Sequence, residues 1–261
     1  MEPAAALNVR GLRCKEMAKY DEGRALYQRA LGLLEREVER DQESIATLHH
    51  NLGGIEHARG NYVAGEVSAR RGLGIRRSLA GADPRDLAAD LVALAAILDG
   101  MEKYAEAEPL YLEALGVFER TPGANAREIA VALNDLGAQY ARRGLVEQAE
   151  QLLTRAASLK KETLGPEHPD LAVTLNNLAV LRKWQGDLAA AAALYTEAVE
   201  IFERSLGAGH PKTVTCLANA SRCAAAARKS PAGLRPEDTR VREAVGDGRF
   251  QAGITIIDQP P

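Results

Sequence analysis

Apolar residues recur at three- and four-residue spacing from about Leu171 to Trp184 and again from about Leu188 to Arg204, with Gln185, Gly186 and Asp187 between them. That spacing gathers each apolar set on one helical face and predicts two helices joined by a tight turn. Shifting the sequence by 42 residues lays this pattern on itself: Leu178 falls on Leu136, Leu94 and Leu52, Leu175 on Leu133 and Leu91, and Gly186 on Gly144 and Gly60. Tyr195 likewise falls on Tyr111 and Tyr27. A hairpin of this size cannot bury its own apolar face, so a fixed period predicts units stacked on their neighbours. The units read as 4–45, 46–87, 88–129, 130–171 and 172–213, with a partial sixth at 214–228.

Punctuation supports the same division. Pro169 and Pro211 follow His168 and His210 at equivalent places, and Asp83-Pro84 stands one residue out of register. Proline cannot continue a preceding helix but suits the first turn of the next. The connection from Arg40 to Ser44 has neither Gly nor Pro, which predicts a less defined boundary there. Small residues repeat as well: Gly11, Gly53, Ala95, Gly137 and Ala179 on the first helices, Gly23, Gly65, Ala107, Ala149 and Ala191 on the second. Glycine inside a helix costs about 0.5 to 1 kcal/mol relative to alanine, so its recurrence implies close approach of two backbones.

Composition narrows the function classes. Of 261 residues 46% are hydrophobic but only 4% aromatic, as expected for helices packed through Ala and Leu. The net charge of -3 provides no basic field for nucleic acid or an anionic membrane. The opening MEPAAALNVRGLR lacks the apolar run of an export signal, so a cytoplasmic protein is expected. Cys14, Cys216 and Cys223 are odd in number and lie on helical stretches, which does not indicate a disulfide framework.

The order Leu, Gly or Ala, turn Gly, Tyr or Leu, Ala, Tyr, Ala resembles the tetratricopeptide repeat, and the period of 42 with LNNLA and LGPEHP resembles its kinesin-light-chain subtype. The likeness spans roughly residues 4 to 228 and weakens where Arg10 and His49 replace the leucines of other units. It implies an all-α fold, a right-handed superhelical solenoid whose first helices line a concave groove for extended peptides or partner helices.

On that geometry two groove ladders are rich in amides. One contains Asn8, His50, Asn134 and Asn176; its neighbour contains Asn51, Asp135, Asn177 and Asn219. An Asn side chain both donates and accepts, so it can pair with the backbone of an extended segment, or else bond locally within its own helix. As residues of an open groove, Asn134, Asn176 and Asn177 are expected to contribute little to folding. A third ladder, small in the middle units, ends at Val180 and Arg222, flanked by His57, Asp99, Arg142, Lys183 and Trp184. Trp184 reads equally as a ligand anchor or as packing against the next unit. Arg142, Lys183 and Arg222, opposed chiefly by Asp135, predict a partner segment that is acidic beside a large apolar residue.

Catalysis is not expected. His50 and His57 stand too far apart along one helix for a single metal, and His57 with Asp99 lacks a nucleophile to complete it. No phosphate loop, paired-cysteine motif or other cofactor site is evident. The expected function is a non-catalytic adaptor or scaffold binding a segment of another protein, with no nucleic acid and no membrane; the alternative is a regulatory subunit that packs on an effector through its convex face or ends. Residues 229–261 read as a mostly disordered tail with a short helix at 236–245. Within it, Gln251 to Asp258 is a candidate for doubling back into the groove.

Overall fold

The computed structural model describes residues 2–37, 41–121 and 126–229. Among them eleven α-helices follow one another and no strand occurs. Five hairpins are formed by α1 (Ala4–Glu16) and α2 (Tyr20–Leu34), α3 (Gln42–Ala58) and α4 (Tyr62–Ser78), α5 (Pro84–Gly100) and α6 (Tyr104–Arg120), α7 (Ala126–Arg142) and α8 (Val146–Leu164), and α9 (Pro169–Trp184) and α10 (Leu188–Leu206). A further first helix, α11 (Pro211–Lys229), packs on α10. The chain divides into two compact units, one holding α1 to α6 and the other α7 to α11. Within each, the second helices pack on their own first helices, and α2, α4, α8 and α10 also pack on the next one. The tail expected after Lys229, its helix at 236–245 and the segment from Gln251 to Asp258 lie outside the described residues.

Side chains at the entry points set where the first helices begin. Asp83 accepts from the backbone N–H of Arg85 at 2.8 Å, while His168 and His210 accept through Nδ1 from Asp170 and Lys212 at 3.1 and 3.2 Å. At the boundary that looked indistinct in sequence, Asp41 accepts from the N–H of Ser44 at 3.0 Å and α3 starts directly after it. These caps place the helix starts a few residues ahead of a division at 46, 88, 130, 172 and 214. Each satisfies an N–H that the first turn would otherwise leave unpaired.

All five hairpin turns adopt one closure. Lys19, Asn61, Lys103, Leu145 and Asp187 each donate a backbone N–H to the carbonyl five residues back, at 2.8 to 2.9 Å. This closure requires a left-handed residue just before the donor. Gly60, Gly144 and Gly186 supply it with φ of 72°, 75° and 82°, but Ala18 and Glu102 are held there too, at 55° and 59°. The repeat therefore imposes the turn even where the sequence has no glycine.

Close backbone approach is visible at the small positions. A Cβ added to Gly11 would come within 2.3 Å of the Tyr27 ring, and one added to Gly137 within 2.8 Å of Leu153 Cγ. At Gly23 it would meet Ile55 at 2.7 Å and the Gly11 carbonyl at 3.2 Å. Tyr27, Tyr111, Leu153 and Tyr195 occupy the same register and are wholly buried. Two core positions break the apolar rule. His49 stands where other units have Leu91, Leu133 and Leu175, and Gln139 where they have Ile55, Ile97 and Leu181; both are buried. Neither His49 ring nitrogen nor either end of the Gln139 amide has a hydrogen-bond partner among the described residues.

Two outcomes are expected. Replacing Glu102 by Gly removes the steric cost of the left-handed conformation and raises stability by about 1 kcal/mol, measured by urea unfolding. Burial, reinforced by the Arg71 guanidinium, pushes the His49 imidazole below its ordinary value. The unfolded chain therefore binds a proton at higher pH than the folded one, and stability is lost as pH falls below about 6.5 toward the lower folded value. His49→Leu melts at higher temperature than the parent, and the gap between the two widens from pH 7 to pH 5.

Candidate functional site

The polar residues of α7, α9 and α11 do not stand apart as independent side chains. Arg222 donates to Asn219 Oδ1 at 3.4 Å, Asn219 to Asn176 Oδ1 at 3.1 Å, and Asn176 to Asn177 Oδ1 at 3.2 Å. Asn177 then donates to Asn134 Oδ1 at 3.5 Å, and Asn134 to Asp135 Oδ1 at 3.0 Å. Every donor points the same way, from a guanidinium at one end to a carboxylate at the other. Aligned in this manner, the amide dipoles reinforce one another and the terminal charges hold their direction. The links from α7 to α9 and from α9 to α11 join residues 43 apart, one period plus one residue, so the ladder ties each unit to the next.

A second-helix cation lies behind it. Lys160 on α8 is fully buried and donates from Nζ to Thr174 Oγ1 at 2.9 Å and to the Asp170 carbonyl at 3.2 Å. Thr174 in turn donates to Asn134 Oδ1 at 2.9 Å. Burial pulls the Lys160 ammonium down to about 8, against the opposing fields of Asp135 and Asp170. The first unit repeats this arrangement with other residues: His50 Nδ1 and Asp90 Oδ1 lie 2.8 Å apart, and Asp90 Oδ2 accepts from Arg76 Nε at 3.0 Å. Residues 50, 90 and 76 lie two periods before 134, 174 and 160. Beside them Asn51 donates to Asn8 at 2.8 Å, but Val92 and Ala93 interrupt the amides on α5.

Burial alters the meaning of the ladder. Asn134, Asn176 and Asn219 have no exposed surface, and Asn177 and Val180 are equally covered. Asn134, Asn176 and Asn177, which as residues of an open groove are expected to contribute little to folding, are instead buried and bonded to one another and to neighbouring helices. Asp99 and Asp135 are also buried, while Asn51 retains 8% exposure. Asn8, His50, His57, Arg142, Lys183 and Trp184 are half-buried, and Arg222 is exposed. His57 rests edge-on against Tyr62, the ring centroids 5.5 Å apart. Trp184 packs against two apolar clusters of the second unit. Lys183 lies near Arg222 and Cys223, and burial lowers its ammonium below the ordinary lysine range.

Sequence reasoning passed over Arg76, Asp90, Lys160 and Thr174. A signal existed in the register: Leu34, Phe118 and Phe202 share one second-helix position with Arg76 and Lys160, so a cation replaces a core apolar residue in alternate units. Among the described residues no group of three or more His, Cys, Asp or Glu is placed to hold a metal ion, and no helix is long and apolar enough to cross a membrane.

The buried ladder leads to a stability test. Asn134→Ala removes the acceptor of Thr174 and Asn177 and the donor to Asp135, breaking three buried hydrogen bonds at a cost of about 1 to 3 kcal/mol. Thermal unfolding should show a marked fall for Asn134→Ala and a much smaller one for Asn8→Ala, which removes a single bond at a half-buried residue.

Among curated proteins none matches the sequence. Solved structures do: BtubC (BKLC) from P. vanneervenii superposes with a TM-score of 0.62 at 20% identity, covering 84% of this chain and 96% of that one. Apo RapI gives 0.64 at 17%, covering 86% and 84%, and a Rap protein complexed with competence and sporulation factor gives 0.67 at 16%, covering 86% and 66%. At such identities the likeness concerns the fold. The family model for the tetratricopeptide repeat matches residues 44–120, 85–162, 128–201 and 170–232. With that match across most of its length, the chain belongs to the tetratricopeptide-repeat family.

Proposed function

We propose that the protein is a non-catalytic adaptor that binds an extended segment or helix of a partner protein along its first helices. A tetratricopeptide array is an interaction scaffold, and its family is generally non-catalytic. The observation that carries the finer reading is the polarised ladder, because it runs as a directional row of amides to exposed Arg222, near half-open Lys183. In this reading the buried amides keep the first helices at a fixed spacing, and the more open residues meet the ligand. Arg142, Lys183 and Arg222 favour an acidic segment, and Trp184 offers ring surface to an apolar neighbour. In the first unit Asn8, Asn51, His50, His57 and Asp99 are the binding residues, and in the second Asp135, Asn134, Asn176, Asn177, Val180 and Asn219 are the floor of the site. The His50–Asp90 pair has the form of a general-base dyad, but Asp90 is also held by buried Arg76, so a structural role accounts for both groups.

Fluorescence anisotropy with two labelled extended peptides, identical except that one carries Asp and Glu beside a Trp and the other Lys in their place, tests the reading. The acidic peptide is expected to bind at least tenfold more tightly. Its affinity falls as salt is raised past the point where screening acts within about 8 to 10 Å, and is lost in Lys183→Gln/Arg222→Gln without a change in melting. Preference for the basic peptide, or binding indifferent to salt and to both substitutions, rejects it.

A further inference from the structure

Four positions on a first helix lie against the second helix of the same hairpin, and α3 shows which they are. A Cβ added to Gly72 on α4 would come within 3.1 Å of the Ala46 carbonyl and of His49 Cβ. One added to Gly53 would lie 3.3 Å from Ala69 Cβ, and one added to Gly65 would lie 3.5 Å from Glu56 Cβ. Ala46, His49, Gly53 and Glu56 are accordingly buried, and the first three registers are buried again on α5, α7 and α9. On α11 the same four registers hold Val214, Leu217, Ser221 and Ala224, and all four are exposed, Val214 at 52% and Leu217 at 38%. The other side of α11 packs on α9 and α10, where Cys216, Asn219 and Cys223 are buried. The open stripe is therefore the seat of a second helix, and among the described residues no helix follows α11 to fill it.

The chain itself supplies an occupant. Six residues, 230–235, separate Lys229 from the helix that the sequence predicts at 236–245, against three in each of the five hairpin turns, so the connection is long enough to turn back. Ten helical residues rise about 15 Å, which is also the rise from Val214 to Ala224. Run antiparallel to α11, the segment can set Val241 over Ser221 and Val245 over Leu217, since both pairs are four residues apart. Ser221 is the small residue at the register of Gly53 and Gly137, where Ala69 and Leu153 fill the space from the second helix. The same register brings Glu237 and Asp238 toward exposed Arg228, one turn past Ala224. Tethered by six residues, the segment has an effective concentration of order mM at this face.

We infer that residues 236–245 dock as a short helix on the open face of α11, completing a sixth hairpin and bracing the helix that carries Asn219 and Arg222. The inference does not depend on the partner-binding reading, because this face receives a second helix and not a groove ligand. An isolated helix of ten residues is marginal in water, so protection of its amides reports docking. Hydrogen–deuterium exchange on the full chain is expected to show 236–245 protected on the order of tenfold over an unstructured chain. Val241→Asp/Val245→Asp, which changes nothing within the described helices, is expected to abolish that protection and to speed exchange along α11 while leaving α7 to α10 unaltered. Leu217→Asp should have the same effect from the other side of the contact, and the Val241→Asp/Val245→Asp variant decides alone if Leu217→Asp unfolds α11. A segment that exchanges at the unstructured rate in the parent, or protection that survives loss of both valines, overturns the inference. So does protection that grows with protein concentration, which would place the segment on a second copy.

Discussion

Close approach between the two helices of a hairpin is the constraint from which the rest of this structure follows. Where Gly11 faces Tyr27 and Gly137 faces Leu153, no Cβ fits without displacement, and the bulky residue occupies the space that the small one leaves. That pairing fixes how far apart the helices lie and hence where the next hairpin can rest. The five identical turns keep the arrangement in phase, strongly enough to hold Ala18 and Glu102 in a backbone conformation that costs about 1 to 2 kcal/mol for an L-residue.

Stacking at a constant interval brings polar residues together as regularly as apolar ones. The contacts from Asn51 to Asn8, Asn177 to Asn134 and Asn219 to Asn176 each span one period plus one residue. Behind them, His50, Asp90 and Arg76 occupy the registers of Asn134, Thr174 and Lys160, so the array builds the same three-membered relay twice with different chemistry. A buried cation is costly unless neighbouring oxygens replace the water it loses. Arg76 finds carboxylates, whereas Lys160 finds a hydroxyl and a backbone carbonyl, and its lowered proton affinity reflects the poorer exchange.

This doubling of roles bears on how an interaction surface can evolve in a repeat. Asn134, Asn176 and Asn219 link successive units from within, so they vary only at the expense of the stack. The half-open Lys183 and Trp184 and exposed Arg222 carry less of that burden and are freer to change. On the second helices the same division separates buried Lys160 from outward Val63 and Val67 of α4. Each face of the array thus holds a conserved geometry beneath changeable chemistry, which is why membership of the family leaves the partner to be identified by the surface.

The hairpins, their turns and their small-residue contacts were legible in the amino-acid order, because local helix periodicity and a strict repeat leave few alternative structures. Even the helix starts at Pro84, Pro169 and Pro211 announced themselves, since proline acts through its own backbone. Asp41 did not stand out, because its capping role depends on a bond to Ser44 that only the folded turn brings within reach. The amide ladder was legible as a row of positions, but neither its burial nor its direction could be read. Which way an amide points is settled by its neighbours, here Thr174, Arg222 and Asp135, contributed by different helices. Likewise His49 and Gln139 show in sequence only as exceptions to a pattern of leucine and isoleucine; that each is enclosed without a hydrogen-bond partner among the described residues is a property of packing. Sequence alone determined the repeating unit and its period, because both arise from contacts within one hairpin, while tertiary structure decided which polar groups were enclosed, because that depends on what the next unit covers.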